Sequence, residues 1–433
     1  MNGVVRSASV ALLLTAWGGA PALGQDAPVS PGDSSPVTET KPLAQVHGFL
    51  LGLLTGRTTG NAQSGTEGSD IAVGEERLRL ELRAASASGD TFFVAKGDLF
   101  HDAVGRRVAV DLREAYAGYT TSGFDLRIGR QIVTWGVGDL FFVTDVFPKD
   151  WESFFGGRPA DYLKQGVDGA RARLSMGRVN AEIAVIPFFT PDVLPSPGRF
   201  GVTDPFASVP NQVETKPAAR TSSTEIALRL LGRLAGFDLS IAAYRGFWRT
   251  PGARLDDTSA PTTVTLFYPR LSVYGLSAQR NALDGVLSLE TGYYRTASAA
   301  PRDRGGLPGS QWRFLIGYQR QLWKDSAVGL QLYGELVGDE DAAVAASGVG
   351  RLRRVISLRL TQLLGYETWK LSLFVAFSPT DEDGFVRPEV SFKVSDELGV
   401  TVGANVFGGA SETTFFGRLR RSDNAFVAAR FDF

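Results

Sequence analysis

The chain has 433 residues, 45 basic against 46 acidic side chains, a formal net charge of -1, two histidines and no cysteine. That length fits about two or three ordinary domains or one large β architecture. The charge balance argues against a nucleic-acid partner, which calls for a basic surplus, and the absence of cysteine rules out disulfides, thiolate metal sites and thiol nucleophiles.

Residues 1–24 read as a secretory signal. Arg6 is the only charge before Asp26, Val10–Leu14 with Ala16 and Trp17 make a short apolar core, and Ala20, Ala22 and Gly24 supply small residues for cleavage. Gly18, Gly19 and Pro21 would break a buried helix there. Residues 25–45 hold four prolines among Ser, Thr and Asp and read as a flexible periplasmic leader. Beyond residue 20 no apolar run reaches the ~18 residues of a transmembrane helix.

From residue 46 to 433 the pattern is strands. In 76–84, Leu78, Leu80, Leu82 and Ala84 share one face, and Arg77, Arg79, Glu81 and Arg83 share the other, which is the period of a strand. The alternation recurs, and strands are expected near 46–57, 75–86, 91–100, 109–119, 124–135, 167–176, 178–187, 223–232, 236–247, 264–279, 285–295, 311–321, 327–337, 351–362, 368–377, 385–394, 398–407 and 424–433. At ~9–12 residues they are long enough to cross a bilayer when tilted, whereas soluble strands average ~5–6. Connections alternate between short turns and longer loops, as periplasmic turns and outer loops do. The expectation is an all-β, antiparallel up-and-down transmembrane barrel of about 18 strands, with 16 as the alternative, in the cell outer membrane.

The end of the chain agrees. Ala425, Val427, Ala429, Phe431 and Phe433 alternate with Phe426, Ala428, Arg430 and Asp432. A terminal aromatic strand resembles the recognition signal of bacterial outer-membrane barrels. It implies the barrel-assembly machinery as a partner, beside outer-membrane lipid and lipopolysaccharide.

One insertion, 136–166, breaks the pattern. Phe124, Leu126 and Ile128 face one way and Arg130 would follow them toward lipid, where an Arg at mid-bilayer costs ~2–4 kcal/mol. Gly129 allows a bulge that would turn Arg130 inward, against Asp168 on the neighbouring strand. After Gln131 and Trp135, Phe141, Phe142, Val143, Val146, Phe147, Trp151, Phe154 and Phe155 interleave with Asp139, Asp145, Lys149, Asp150, Glu152, Arg158 and Asp161. So apolar a segment is expected to fold into the barrel and narrow it. The other reading is an outer loop packed on its neighbours.

Gly129-Arg130-Gln131 with Trp135-Gly136 and Asp139, then Thr144-Asp145-Val146, resembles the Gram-negative alginate-export and DUF1302-like porin group. Gly403-Ala404-Asn405-Val406-Phe407-Gly408-Gly409, then Thr414-Phe415-Phe416-Gly417, is similar to that group's last hairpin. The resemblance covers roughly 125–170 and 398–433. It implies a porin-like β-barrel that passes or exports a substrate, and it leaves the substrate open.

Rival chemistries have little to stand on. No Ser sits in a nucleophile context, and no enzyme is expected. Asp139, Asp145 and Asp150 offer oxygens of the kind calcium takes, but their spacing matches no calcium loop, and salt bridges to Arg158 or Arg171 are the better reading. No metal or other cofactor is expected. The short leader leaves no room for the plug of a TonB-dependent transporter.

Inward candidates are Arg77, Arg79, Arg83, Arg113, Arg127, Arg130, Arg171, Arg173, Arg229 and Arg359, with Glu81, Asp125, Glu182, Glu225, Glu290 and Glu335. Arginine rings line pores for anions. The same residues also serve as Arg–Glu braces across a polar wall. The function expected is passive passage or export of small or polymeric polar solutes. The alternative is a non-conducting barrel that anchors or sheaths an envelope partner. Arg130, Gln131, Trp135, Asp139, Asp145, Asp150, Trp151, Arg158, Asp168, Arg171 and Arg173 are the candidate constriction residues.

Overall fold

In the computed structural model, residues 44–58, 70–257, 259–297, 309–338 and 352–433 are described. The expected signal lies outside them, as does the leader apart from Ala44 and Gln45, which already belong to the first strand.

Eighteen strands form one sheet that closes on itself. The wall opens with β1 (Ala44–Arg57), β2 (Ile71–Ala85), β3 (Thr91–Asp102), β4 (Arg107–Thr120), β5 (Phe124–Ile132), β6 (Gly166–Met176) and β7 (Val179–Ile186). After the short β8 (Asn211–Thr215) come β9 (Glu225–Leu234) and β10 (Phe237–Phe247). After β11 (Gly252–Leu255) and β12 (Thr263–Phe267) come β13 (Arg270–Ala282), β14 (Gly285–Thr296), β15 (Gln311–Arg320) and β16 (Ser326–Val337). β17 (Leu352–Leu364), β18 (Trp369–Ser378), β19 (Asp383–Lys393), β20 (Leu398–Gly409) and β21 (Asn424–Asp432) complete it. β21 closes on β1 antiparallel, from Phe49 opposite Asp432 to Arg57 opposite Asn424. The wall has 18 strands, not the alternative 16.

Its polarity is the inverse of a soluble protein's. On β2, Arg77 and Arg79 are 4% and 5% exposed, while Leu80 and Leu82 are 50% and 36% exposed. Leu228 and Leu230 on β9 and Phe431 on β21 likewise point out, while Glu225 and Phe426 on the same strands are buried. An apolar belt of this kind is favourable only against hydrocarbon, so this is the wall of a membrane-spanning barrel.

Short turns gather at one end. Residues 235–236 and 283–284 join hairpins with both turn residues at positive φ (Ala235 52°, Gly236 80°, Leu283 55°, Asp284 59°). That is the two-residue geometry whose twist matches the flanking strands. The long connections gather at the other end.

Three expectations are corrected. The strand expected over 264–279 is split: Thr263–Phe267 joins a separate three-stranded sheet with β8 and β11, and the wall resumes at Arg270. Pro269 between them lacks the N–H a ladder needs. The strand expected to reach residue 135 ends at Ile132. No bulge occurs at Gly129, because β5 keeps continuous register with both neighbours, Gly129 opposite Tyr116 and Gly169. Gly129 instead takes φ 129° where a Cβ would lie 2.3 Å from the Ala115 carbonyl. Arg130 therefore stays on the face of Ile128, the outer face, and meets Asp168 there at 2.7 Å. The bulge in this region is on β4, where Lys96 pairs with Glu114 and Gly97 with Leu112, leaving Arg113 extra. It is Arg113, not Arg130, that points inward.

Candidate functional site

The connection 133–165 lies inside the barrel, and inward-facing groups from opposite sides of the wall hold it. On β2, Glu75 accepts from Arg158 Nη2 at 2.7 Å and Nε at 3.1 Å. On β3, Asp98 accepts from the Tyr162 hydroxyl at 2.8 Å. On β4, Arg113 donates to the carbonyls of Asp161 and Lys164 at 2.9 and 2.7 Å. Across the barrel, Glu290 of β14 accepts from the backbone N–H groups of Thr144 and Val137 at 2.9 and 3.2 Å. On β19 and β20, Arg387 and Asn405 donate to the carbonyls of Phe154 and Phe155 at 2.7 and 2.9 Å. On β1, Thr55 donates to the Gly156 carbonyl at 2.7 Å. A segment tied to β2 and to β14 at once crosses the lumen.

Apolar contacts fix it there. Val143 is 0% and Phe155 1% exposed. Phe155 meets Phe385 of β19 and Phe407 of β20 edge-on, at 5.4 and 5.2 Å between ring centroids. Phe141 stacks on Tyr333 of β16 at 5.3 Å, and Trp135 meets Phe147 at 5.2 Å. Each such side chain contributes about 1.5–3 kcal/mol when fully buried. Within the segment α1 (Trp151–Phe155) starts at Asp150, whose carboxylate accepts from the Ser153 N–H at 2.7 Å and caps the helix. The turn after it approaches the wall so closely that a Cβ at Gly157, φ 84°, would lie 2.5 Å from the Phe426 ring. The next long connection, 187–224, covers this segment. Val193 and Lys149 pair through the backbone at 2.8 Å, and Phe200, closing α2 (Pro197–Phe200), sits in the same apolar cluster.

The expected site residues fall into separate places. Trp135 donates to Glu182 of β7 at 2.7 Å, and Arg171 and Arg173 of β6 reach the same carboxylate at 3.0 and 3.1 Å, so these three come together. Gln131 is buried below them, its amide near the carbonyls of Arg127 and Gly169 at 3.5 Å. The carboxylates Asp139, Asp145 and Asp150 do not converge. Asp139 pairs with Arg359 of β17. Asp145 takes Lys149 and Lys164 at 3.0 and 2.8 Å, and Asp150 caps α1. The partners expected for them, Arg158 and Arg171, are held by Glu75 and Glu182 instead. Among the described residues no three metal-ligating side chains cluster. Trp151 packs in the apolar core and donates to Asp192 at 3.4 Å. Arg130 and Asp168 are on the outer face, away from the lumen.

Burial and neighbouring charges shift the carboxyls of these two connections. Burial raises Asp139 despite Arg359, and it raises Asp150 and Asp192 likewise. For Asp145 burial alone would raise the carboxyl, but the ammoniums of Lys149 and Lys164 hold it below the usual carboxylate range.

One cluster has surplus charge. Glu182 receives Arg171, Arg173 and, from β9, Arg229 at 3.2 Å. On the next strand Arg127 sits opposite Arg171 and pairs with Asp125 at 3.2 Å. Four guanidiniums against two carboxylates leave an excess of two positive charges. The buried Nε groups of Arg171 and Arg229 make no hydrogen bond among the described residues, while Arg127 Nε lies beside the Asp125 carboxylate. Arg127 and Arg173 are more than a quarter exposed, so the surplus faces the open lumen. The remaining inward arginines are mostly occupied: Arg77 and Arg79 bind Asp98, and Arg113 binds the inserted segment.

Sequence reading missed Glu75, Asp98, Arg387 and Asn405, which pin the insertion from the wall. The signal available for them was a polar residue at an inward position of an otherwise regular strand. Three of the residues that carried the family resemblance share a role. Trp135, Thr144 and Asn405 each bond the inserted segment to the wall, and a Cβ at Gly136 would lie 2.7 Å from Glu290.

No family model matches the chain, and no curated protein matches it. Solved structures match it in fold. Pseudomonas aeruginosa OccK2 (OpdF) in complex with glucuronate aligns at a TM-score of 0.56 and 12% identity, over 90% of this chain and 97% of that one. The outer membrane protein opdK of Pseudomonas aeruginosa gives 0.55 and 11%, over 90% and 98%. Acinetobacter baumannii OccAB3 gives 0.53 and 9%, over 90% and 99%. These likenesses do not confirm the resemblance to the alginate-export and DUF1302-like group. In fold the chain is similar to Gram-negative outer-membrane porin-like barrels.

Proposed function

We propose that this barrel is a passive outer-membrane channel for small anionic solutes. The observation that carries the reading is the Glu182 cluster, where three arginines share one carboxylate and a fourth lies beside them. A passing carboxylate or phosphate is drawn to the partly exposed guanidiniums of Arg127 and Arg173, and planar guanidiniums suit such groups. The segment 133–165 favours small solutes over polymers, because a lumen crossed by a packed segment leaves no wide bore. Polymer export, as the alginate-export resemblance would imply, is thereby disfavoured. The partners that follow are outer-membrane lipid, lipopolysaccharide and the barrel-assembly machinery acting on β21.

Reconstitution of the refolded protein into planar bilayers tests this. Stepwise conductance in KCl is expected. A folded protein that leaves the bilayer silent would contradict the channel and favour a non-conducting scaffold for an envelope partner.

A further inference from the structure

Outside the lumen, the lipid-facing surface of β21, β1 and β2 is interrupted by a trough. Across these strands Ala429, Gly52 and Glu76 lie side by side in register. Below them Phe431, Leu50 and Leu78 form one row, and above them Val427, Leu54 and Gly74 form the next. Phe431, Leu50 and Leu78 on one side and Val427 and Leu54 on the other thus flank a stretch whose floor is Gly52 and Ala429, with Glu76 at its end. The result is a groove of ≈ 990 Å³, lined among others by Gly52, Leu54, Gly74, Glu76, Arg106 and Val427. Nothing lies within 4 Å of where a Gly52 Cβ would stand.

The upper end of the groove is polar. The turn 103–106 between β3 and β4 folds over it, tied down by the Ala103 N–H donating to the Gly74 carbonyl at 2.9 Å. Arg106 takes φ 48° in this turn and is exposed at the groove's edge. The carboxylate nearest in sequence, Asp102, is buried and already holds Arg199 and the Gly105 N–H. On the other side stands Glu76, 73% exposed at its side chain and 2.8 Å from the His101 imidazole. The turn belongs to the long-loop end of the barrel, so the groove opens into the outer leaflet.

We propose that this groove binds one phosphorylated glycolipid of the outer leaflet, a lipopolysaccharide. An acyl chain lies in the trough over Gly52 and Ala429, the lipid phosphate meets Arg106, and sugar hydroxyls donate to the Glu76 carboxylate. Charge complementarity selects the occupant. A lone cation asks for the phosphate, and an exposed carboxylate beside it repels a purely anionic headgroup while accepting from hydroxyls. This site is independent of the channel reading, because Gly52, Glu76 and Arg106, on which it rests, lie on the outer surface and not among the groups that hold the inserted segment.

The test is native mass spectrometry of the refolded full chain in detergent, titrated with bisphosphorylated lipid A, with dephosphorylated lipid A and with phosphatidylglycerol. One lipid A is expected to be retained by the unaltered chain. Arg106→Gln should weaken it about fivefold, the effect of one cation at an anionic lipid surface, and Gly52→Leu should weaken it without touching any charge. Dephosphorylated lipid A should bind as weakly to the unaltered chain as lipid A does to Arg106→Gln. Equal retention of lipid A by all three proteins would overturn the proposal, and so would phosphatidylglycerol binding as tightly as lipid A. Both substitutions lie on the outer surface, and heat-modifiable gel mobility confirms that each variant has folded before it is titrated.

Discussion

The Trp135 indole donates to Glu182 at 2.7 Å, and Arg229 lies over the same indole with its guanidinium carbon 5.2 Å from the ring centroid. One side chain of the inserted segment thus touches both the carboxylate and a cation of the basic cluster. The constriction and the charge surplus form one structure. Trp135→Phe keeps the ring and removes the donor. A hydrogen bond to a charged group contributes about 1.5–3 kcal/mol, so the unfolding free energy should fall by that order, seen as a lower urea midpoint, and open-channel current should become noisier. An unaltered midpoint and quiet current would show that the bond does not restrain the segment.

A second comparison separates inner from outer ion pairs. Glu75 is 1% exposed at its side chain and serves Arg77 and Arg158. Glu75→Gln leaves two buried guanidiniums undercompensated, and breaking such a buried pair costs about 3–5 kcal/mol. Arg130→Ala removes a partner from an outer-face pair whose side chains are 24% and 41% exposed, and its cost in urea unfolding should be clearly smaller. The reverse order would place the weight of the fold on the outer pair.

Much of this architecture was legible in the sequence. Alternation in segments such as 76–84 gave the wall, and the polarity of that alternation, charges in and leucines out, followed once the strands were long enough to cross a bilayer. The insertion showed itself because Phe and Trp crowd where an outer loop should be polar. Three features were hidden. Gly129 suggested a bulge, but a positive φ lets the ladder run on unbroken, and only the register shows it. Pro269 marks the break between β12 and β13, yet the apolar run around it reads as one strand. The anchors Glu75 and Asn405 are single polar residues whose partners lie 83 and 250 positions away, a separation that no local pattern encodes.

Acid should act through Asp145. Its folded-state carboxyl lies below the usual carboxylate range because two ammoniums override the effect of burial. A carboxylate depressed in this way contributes stability that is fully present above its unfolded value, about 3.9. The contribution is lost as pH falls through the lower folded value. The urea midpoint of the unaltered chain should exceed that of Asp145→Asn by a constant margin near neutrality, and the margin should shrink below about pH 4. A margin that widens in acid would reverse the sign and refute the assignment.

Removing the insertion should open the channel. Deleting Gly138–Gly157 takes out α1 and the Phe141–Phe155 cluster, and the narrowest stretch sets a pore's resistance. Single-channel conductance should rise, provided that gel mobility shows a folded barrel. Unchanged conductance would mean that the limiting resistance lies elsewhere.

The central claim is the anion preference of the Glu182 cluster, and the zero-current potential across a KCl gradient reads it directly. The unaltered channel should show the sign of chloride selectivity. Replacing the two most exposed arginines of the cluster, Arg127→Gln with Arg173→Gln, should move the potential toward zero while single channels persist. A potential of the cation-selective sign in the unaltered channel, or one that the double substitution leaves in place, would contradict the account.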